Sequence, residues 1–160
     1  MIFLSFGTRP EWIKIKPLID IFKENNYPYK VLFTGQHTTL LPAGTYGMID
    51  ISLVINQGGN RLDSIVKSVM NQSAVWLENP SHILVQGDTT SAFSLALAAF
   101  HRRVPVIHLE AGLRTYDMYN PYPEEFNRQA ISKIASLHFC PTDISAENLR
   151  KEGIDSGIFV

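Results

Sequence analysis

The sequence predicts an α/β fold in three layers, a parallel sheet covered by helices on both faces. Two observations carry this. Short apolar runs alternate with helix-length amphipathic stretches along the chain, the pattern of strand–helix–strand units joined by right-handed crossovers. The apolar runs are mostly continuous, not alternating, as expected of strands covered on both faces. With 160 residues, 45% hydrophobic and 18% charged, the chain has the size of one domain and enough apolar content for a core.

The elements follow in order. Ile2 to Phe6 is a strand ended by Gly7. Glu11 to Asn25 reads as a helix with Ile13, Leu18, Ile19, Ile21 and Phe22 apolar. Pro17 lacks the donor for the helix ladder, which predicts a kink or a short first segment. Tyr29 to Thr34 is a second strand, closed by Gly35. Between Gln36 and Asp50 the pattern weakens: His37 to Leu41 suits a helical turn, and Pro42 and Gly44 interrupt it. Ser52 to Ile55 is a short strand, and Leu62 to Leu77 a helix with Ile65, Val66, Val69, Met70, Ala74 and Leu77 on one stripe.

The second half is cleaner. His82 to Gln86, Val104 to Leu109 and Leu137 to Cys140 are strands. Thr89 to His101 is apolar enough to be buried on more than one side. Pro123 to Ala135 opens with proline and two acids, as a helix N-terminus does. Asp143 to Glu152 is a helix with Asp143 as cap and Gly153 as stop. Gly157 to Val160 starts one more strand and ends without a polar tail, which suggests the cut end of a longer protein.

Composition excludes several classes. Lys and Arg number 14 and Asp and Glu 15, a formal charge of -1, so the electrostatic footprint of a nucleic-acid binder is missing. One cysteine, Cys140, cannot make an internal disulfide. No apolar run approaches the roughly 18 residues of a membrane span, and Met1 to Phe6 has neither the basic flank nor the cleavage site of a signal peptide. The expectation is a cytoplasmic protein that binds neither nucleic acid nor membrane.

Ligands of open parallel sheets bind at the carboxyl ends of the strands. There the chain places Gly7-Thr8-Arg9-Pro10-Glu11, Gly35-Gln36-His37, Gly87-Asp88-Thr89-Thr90 and Glu110-Ala111-Gly112-Leu113-Arg114-Thr115, all polar and glycine-bearing. The opposite turns, such as Asn25 to Pro28, look merely solvated. A simpler role competes at most positions. Thr8 and Asp88 suit helix caps, Glu124 and Glu125 complement a helix dipole, and Arg128 suits a surface pair with Glu124 four residues back. His108 lies within a strand and reads as core. Glu110 resists such an account, because an unpaired charge at the end of an apolar strand is costly. No His or Cys spacing suggests a metal. Carboxylates converging on one pocket suit acid–base chemistry, since like charges push one pKa up. Arg9 and Arg114 suit an anionic group such as a phosphate.

At these residues the chain resembles the N-terminal half of the non-hydrolysing UDP-N-acetylglucosamine 2-epimerases. Gly7-Thr8-Arg9-Pro10-Glu11, Thr34-Gly35-Gln36-His37, Gln86-Gly87-Asp88-Thr89-Thr90-Ser91, His108-Leu109-Glu110-Ala111-Gly112-Leu113-Arg114-Thr115 and Pro123-Glu124-Glu125-Phe126-Asn127-Arg128 match the family's motifs in order. Pro141-Thr142 with Asn148-Leu149 matches the close of the domain. The resemblance implies a Rossmann-like domain, residues 1–160, that forms one half of a glycosyltransferase-B-like two-domain fold. A C-terminal UDP-binding domain would carry most UDP contacts and a further catalytic histidine. It also implies interconversion of UDP-N-acetylglucosamine and UDP-N-acetylmannosamine without a cofactor, through loss of the C2 proton and of UDP. Asp88, Glu110 and Glu124 are the acid–base carboxylates by resemblance, and Arg9, Lys14 and Arg128 contact or orient substrate. Gln36 and His37 fall near a family effector site, although Leu41 to Gly59 matches poorly. Trp12 stands where the family usually carries a small residue, so it would crowd the site or pack outward. Expected partners are the UDP-sugar, the missing domain and a second copy in a homodimer. The isolated chain is expected to be inactive. A hydrolysing relative, a non-catalytic binding or docking fragment, and an unrelated doubly wound domain are the competing readings.

Overall fold

The computed structural model describes residues 1–37, 41–72 and 74–160. The turn expected at His37 to Leu41 falls mostly outside them, as do Ser73 and the side chains of Ala74 and Leu77 on the expected stripe. The described strands are β1 (Ile2–Phe6), β2 (Tyr29–Phe33), β3 (Ile51–Ser52), β4 (His82–Gln86), β5 (Val106–Leu109), β6 (Leu137–Phe139) and β7 (Ile158–Phe159). They form one sheet in the order β3-β2-β1-β4-β5-β6-β7, with every pair parallel. The chain winds outward from β1 to β3, then returns beside β1 and winds the other way. The crevice between β1 and β4 is therefore the topological switch point, the place where such sheets bind ligands.

The helices are α1 (Arg9–Glu24), α2 (Arg61–Met70), α3 (Ala74–Leu77), α4 (Thr90–His101), α5 (Glu124–Ile134) and α6 (Asp143–Lys151). Alternate strand residues feed two cores, because successive side chains point to opposite faces. Phe3, Leu32, Ile83 and Val85 meet Ile65 and Val69 of α2, Leu95, Ala96 and Ala99 of α4, and Ile131 of α5. Leu4, Phe6, Val31, Phe33 and Leu84 meet Trp12, Ile15 and Ile19 of α1. A smaller cluster, Ala111, Cys140, Ala146 and Leu149, seats α6. The small residues of α4 let it bury a wide face, including Ser91, Ser94, Ala96, Ala98 and Ala99.

Several expectations change. The helix after β1 begins at Arg9 and runs unbroken through Pro17. Proline removes the donor to the Ile13 carbonyl, but Ile13 and Pro17 lie on the exposed face, where water can replace it. The buried stripe is Trp12, Ile15 and Ile19, while Ile13 and Ile21 face solvent. Trp12 is buried, its ring 4.9 Å from that of Phe6. It therefore packs inward, into the core beneath α1, and not outward. The long helix expected at Leu62 to Leu77 is two, α2 ending at Met70 and α3 starting at Ala74. Thr142, not Asp143, caps α6, its side chain accepting from the Ser145 amide.

Candidate active site

Four turns meet at the carboxyl ends of the strands. The first leaves β1 at Gly7 and enters α1. Thr8 caps the helix and Glu11 answers from the third position, a reciprocal capping box. Glu11 is buried and does more than cap. One carboxylate oxygen accepts the Gly7 amide and, at 3.1 Å, the Thr8 amide, and the other accepts the Thr89 hydroxyl at 2.6 Å. Burial pushes this carboxyl up to about 7 despite those donors. Arg9, at the exposed start of α1, has no side-chain partner among the described residues. A cation beside a helix N-terminus favours an anion.

The second turn leaves β4 at Gly87, whose φ is 68°. Asp88 is not the α4 cap expected from its place. Thr89 caps α4, accepting from the Ala92 amide at 3.2 Å. Asp88 instead receives the Arg128 guanidinium at 2.5 Å, and its backbone carbonyl accepts from Asn127 Nδ2 at 2.9 Å. Burial pushes the Asp88 carboxyl above its usual range, Arg128 opposes this, and the nearby charges of Glu124 and Glu110 raise it further.

The third turn leaves β5 with Glu110 at a φ of 68°, a left-handed conformation unusual for a residue with a side chain. Lys14 from α1 places its ammonium 2.7 and 2.6 Å from the two Glu110 oxygens. Gln86, buried at the end of β4, donates to the same carboxylate. The fourth turn enters α5. Glu124 is the partly buried first residue of that helix. Arg128 pairs with Asp88 and, at 3.4 Å, with Glu125, instead of making the expected surface pair with Glu124. Glu125 is fully buried and accepts the amides of Thr115 and Tyr116 at 3.0 Å each and Gln129 Nε2 at 2.7 Å. Burial pushes its carboxyl up, but these donors hold it below the usual range.

The structure thus brings Asp88, Glu110, Glu124, Lys14 and Arg128 to one end of the sheet, with Arg9 at the start of α1 beside them. Gln36 and His37 follow β2, with Gln36 against the Gly7 turn and the start of α4. Gln36 Oε1 accepts the Ser91 amide at 3.2 Å, and His37 Nε2 accepts from Arg61 at 2.8 Å. Arg114 does not join them. Its fully buried guanidinium binds both oxygens of Glu152, at 2.7 and 2.9 Å, and also reaches Ser132 and the Leu113 carbonyl. These bonds take four of its five N–H donors, and full burial keeps the fifth from a ligand anion. Glu11, Gln86 and Glu125 are supports that strand-end reasoning passed over. Thr8-Arg9-Pro10-Glu11 carried the signal for the first, as a threonine with an acid three residues on.

His108 is core, as expected, and holds the second turn as well. Its Nε2–H donates to the Gly87 carbonyl at 2.8 Å. Burial pushes its pKa down to about 4. The unfolded ring takes a proton near 6.5 and the folded ring only near 4. Between these values the unfolded state holds more protons, so this part of the stability is present above 6.5 and lost as pH falls. Glu11 acts with the opposite sign, losing its contribution as pH rises from 4.5 to about 7. In urea titrations, wild-type chain minus His108→Gln isolates the histidine. The difference is expected to shrink by about 2 kcal/mol from pH 7 to pH 5.

The chain is thus a doubly wound α/β domain with carboxylates paired to cations at the carboxyl ends of its strands. The family profile described as UDP-N-acetylglucosamine 2-epimerase matches residues 20–160, and the chain belongs to that family. The UDP-N-acetylglucosamine 2-epimerase of Campylobacter jejuni is 44% identical over 99% of this chain and 43% of its own length. That of Escherichia coli K12 is 41% identical over 97% of this chain and 43% of its own length. The crystal structure of the Neisseria meningitidis enzyme bound to UDP-GlcNAc superposes with a TM-score of 0.91 at 38% identity. That match covers 99% of this chain and 46% of the Neisseria chain. The chain thus spans less than half the length of these relatives. Among the described residues, no helix is long and apolar enough to cross a membrane.

Proposed function

We propose that the chain is the N-terminal Rossmann-like domain of an enzyme that interconverts UDP-N-acetylglucosamine and UDP-N-acetylmannosamine. One observation carries the reading: Asp88, Glu110 and Glu124 gather at the switch point, and two of the three are matched to cations on other elements. A carboxylate removes the C2 proton and UDP leaves C1 with the bonding electrons, giving 2-acetamidoglucal and UDP. UDP then adds back to C1 while a proton reaches the other face of C2. Two opposed faces need two proton-carrying groups, and one pocket with several carboxylates in unlike surroundings supplies them. Lys14 and Arg128 hold Glu110 and Asp88 in place, and Arg9 at the α1 N-terminus steadies the departing diphosphate. Gln36 and His37 flank an effector subsite for a second sugar nucleotide.

In this reading a C-terminal domain, as in the longer relatives, closes over the strand ends and supplies the other wall, and the working form is a dimer in the cytoplasm. The test combines the chain with the C-terminal portion of the Campylobacter jejuni relative and follows UDP-N-acetylglucosamine by proton NMR. UDP-N-acetylmannosamine is the expected product. Free N-acetylmannosamine with UDP would assign the chain to a hydrolysing enzyme instead. Unchanged substrate would overturn the proposal.

A further inference from the structure

A capping box asks little of its acid: one bond from the third helical residue back to the cap amide. Glu11 makes that bond to Thr8 and two more, to the Gly7 amide and to the Thr89 hydroxyl. Thr89 stands 78 residues away and opens α4, so the last bond joins two turns that share no local sequence. The first turn carries Arg9 and leads to Lys14. The second carries Asp88. Thr89 Oγ1 also accepts the Ala92 amide and lies 3.2 Å from Ser91 Oγ, so it is fixed on its own side. The crevice here is tight. A Cβ on Gly7 would lie 2.2 Å from Thr34 Oγ1 and 2.5 Å from Ser91 Oγ. The turns therefore approach across the switch point with no room for a bulkier residue at Gly7.

We propose that Glu11 is a positioning residue, whose buried carboxyl ties the Arg9 turn to the Asp88 turn through Thr89 and so fixes the anion-binding group against the acid–base group. The inference rests on the epimerase reading above. A cap alone would need neither Thr89 nor the Gly7 amide. The link also survives a change of protonation. As a carboxylate, Glu11 accepts from the hydroxyl; as an acid, it donates to Thr89 Oγ1 while its other oxygen still accepts the two amides. Glutamine can copy the second arrangement, with Nε2 donating to Thr89 and Oε1 accepting the amides.

The two turns act on one substrate, one at the diphosphate and one at the sugar. Loosening the tie leaves each contact available in turn and spoils their simultaneous alignment. That loss appears in kcat more than in KM, and misplacement by about 1 Å can cost up to a hundredfold.

The test uses the chain complemented as above, with Thr89→Val and Thr89→Ser as the first pair and Glu11→Ala and Glu11→Gln as the second. Thr89→Val and Glu11→Ala are expected to lower kcat at least about tenfold with KM changed less than about threefold. The serine and glutamine variants are expected to recover most of the loss. Circular dichroism melts establish that each variant is folded at the assay temperature. Folded Thr89→Val and Glu11→Ala proteins with kcat within about twofold of wild type would overturn the inference and leave the epimerase reading intact. A wild-type mixture without turnover would instead overturn that reading and the inference with it.

Discussion

Glu110→Gln is expected to lower turnover of UDP-N-acetylglucosamine in the complemented enzyme at least about a hundredfold, the usual worth of a positioned general acid or base. The side chain keeps its length, so its effect is one of charge and proton capacity. Lys14 loses the carboxylate that it contacts through both oxygens, and Gln86 faces an amide in place of an acceptor-only group. The backbone of Glu110 already sits at a φ of 68°, which costs on the order of 1 kcal/mol at a residue with a Cβ. A site that tolerates such strain between two fixed partners is held by its surroundings, so the variant should fold normally. Asp88→Asn and Glu124→Gln are expected to lose turnover on the same scale. Steady-state kinetics with melting curves decide the matter. Near-normal turnover in all three folded variants would remove these carboxylates from the chemistry.

The largest expected effect on stability lies away from the pocket. Glu152→Ala would strip the partner from Arg114, whose side chain is fully buried. Leaving a buried guanidinium without its carboxylate costs about 3–5 kcal/mol. The pair locks the turn after β5 to the end of α6, with Ser132 of α5 as a third anchor. Arg114→Met combined with Glu152→Met removes both charges and should recover most of the loss, because the desolvation cost goes with them. Urea titration at fixed pH measures both. A Glu152→Ala loss under about 1 kcal/mol would mean that water reaches the guanidinium and that the pair behaves as a surface salt bridge.

How much was legible in the sequence divides by the range of the interaction. The continuous apolar runs placed most strands to within two residues, since a strand buried on both faces writes its burial directly into composition. The glycine-bearing turns lie at the carboxyl ends of the strands because each follows its strand directly in sequence. Choices between neighbours were harder. Asp88 and Thr89, and likewise Thr142 and Asp143, are adjacent residues that can each cap a helix. At the first site Arg128, contributed by α5, takes Asp88 and leaves the cap to Thr89. Arg114 was expected to meet an anionic ligand and meets Glu152 instead, 38 residues on. No spacing rule spans that distance. On α1, the stripe of Ile13, Pro17 and Ile21 has helical spacing but faces solvent. The competing stripe of Trp12, Ile15 and Ile19 has more bulk to bury against Phe6 and Phe33. The three supports Glu11, Gln86 and Glu125 are polar residues whose value comes from partners brought in by the fold, so their types alone did not mark them out.

The role of the three carboxylates as half of an epimerase site is tested most directly by deuterium incorporation at C2 of UDP-N-acetylglucosamine in deuterated water, with the chain alone and with the C-terminal portion of a relative added. Deuterium at C2 together with UDP-N-acetylmannosamine is expected in the mixture only, since in the proposed enzyme this chain supplies the carboxylates and a second domain closes the site. Product formed with protium retained at C2, or no exchange in either sample, would contradict that role.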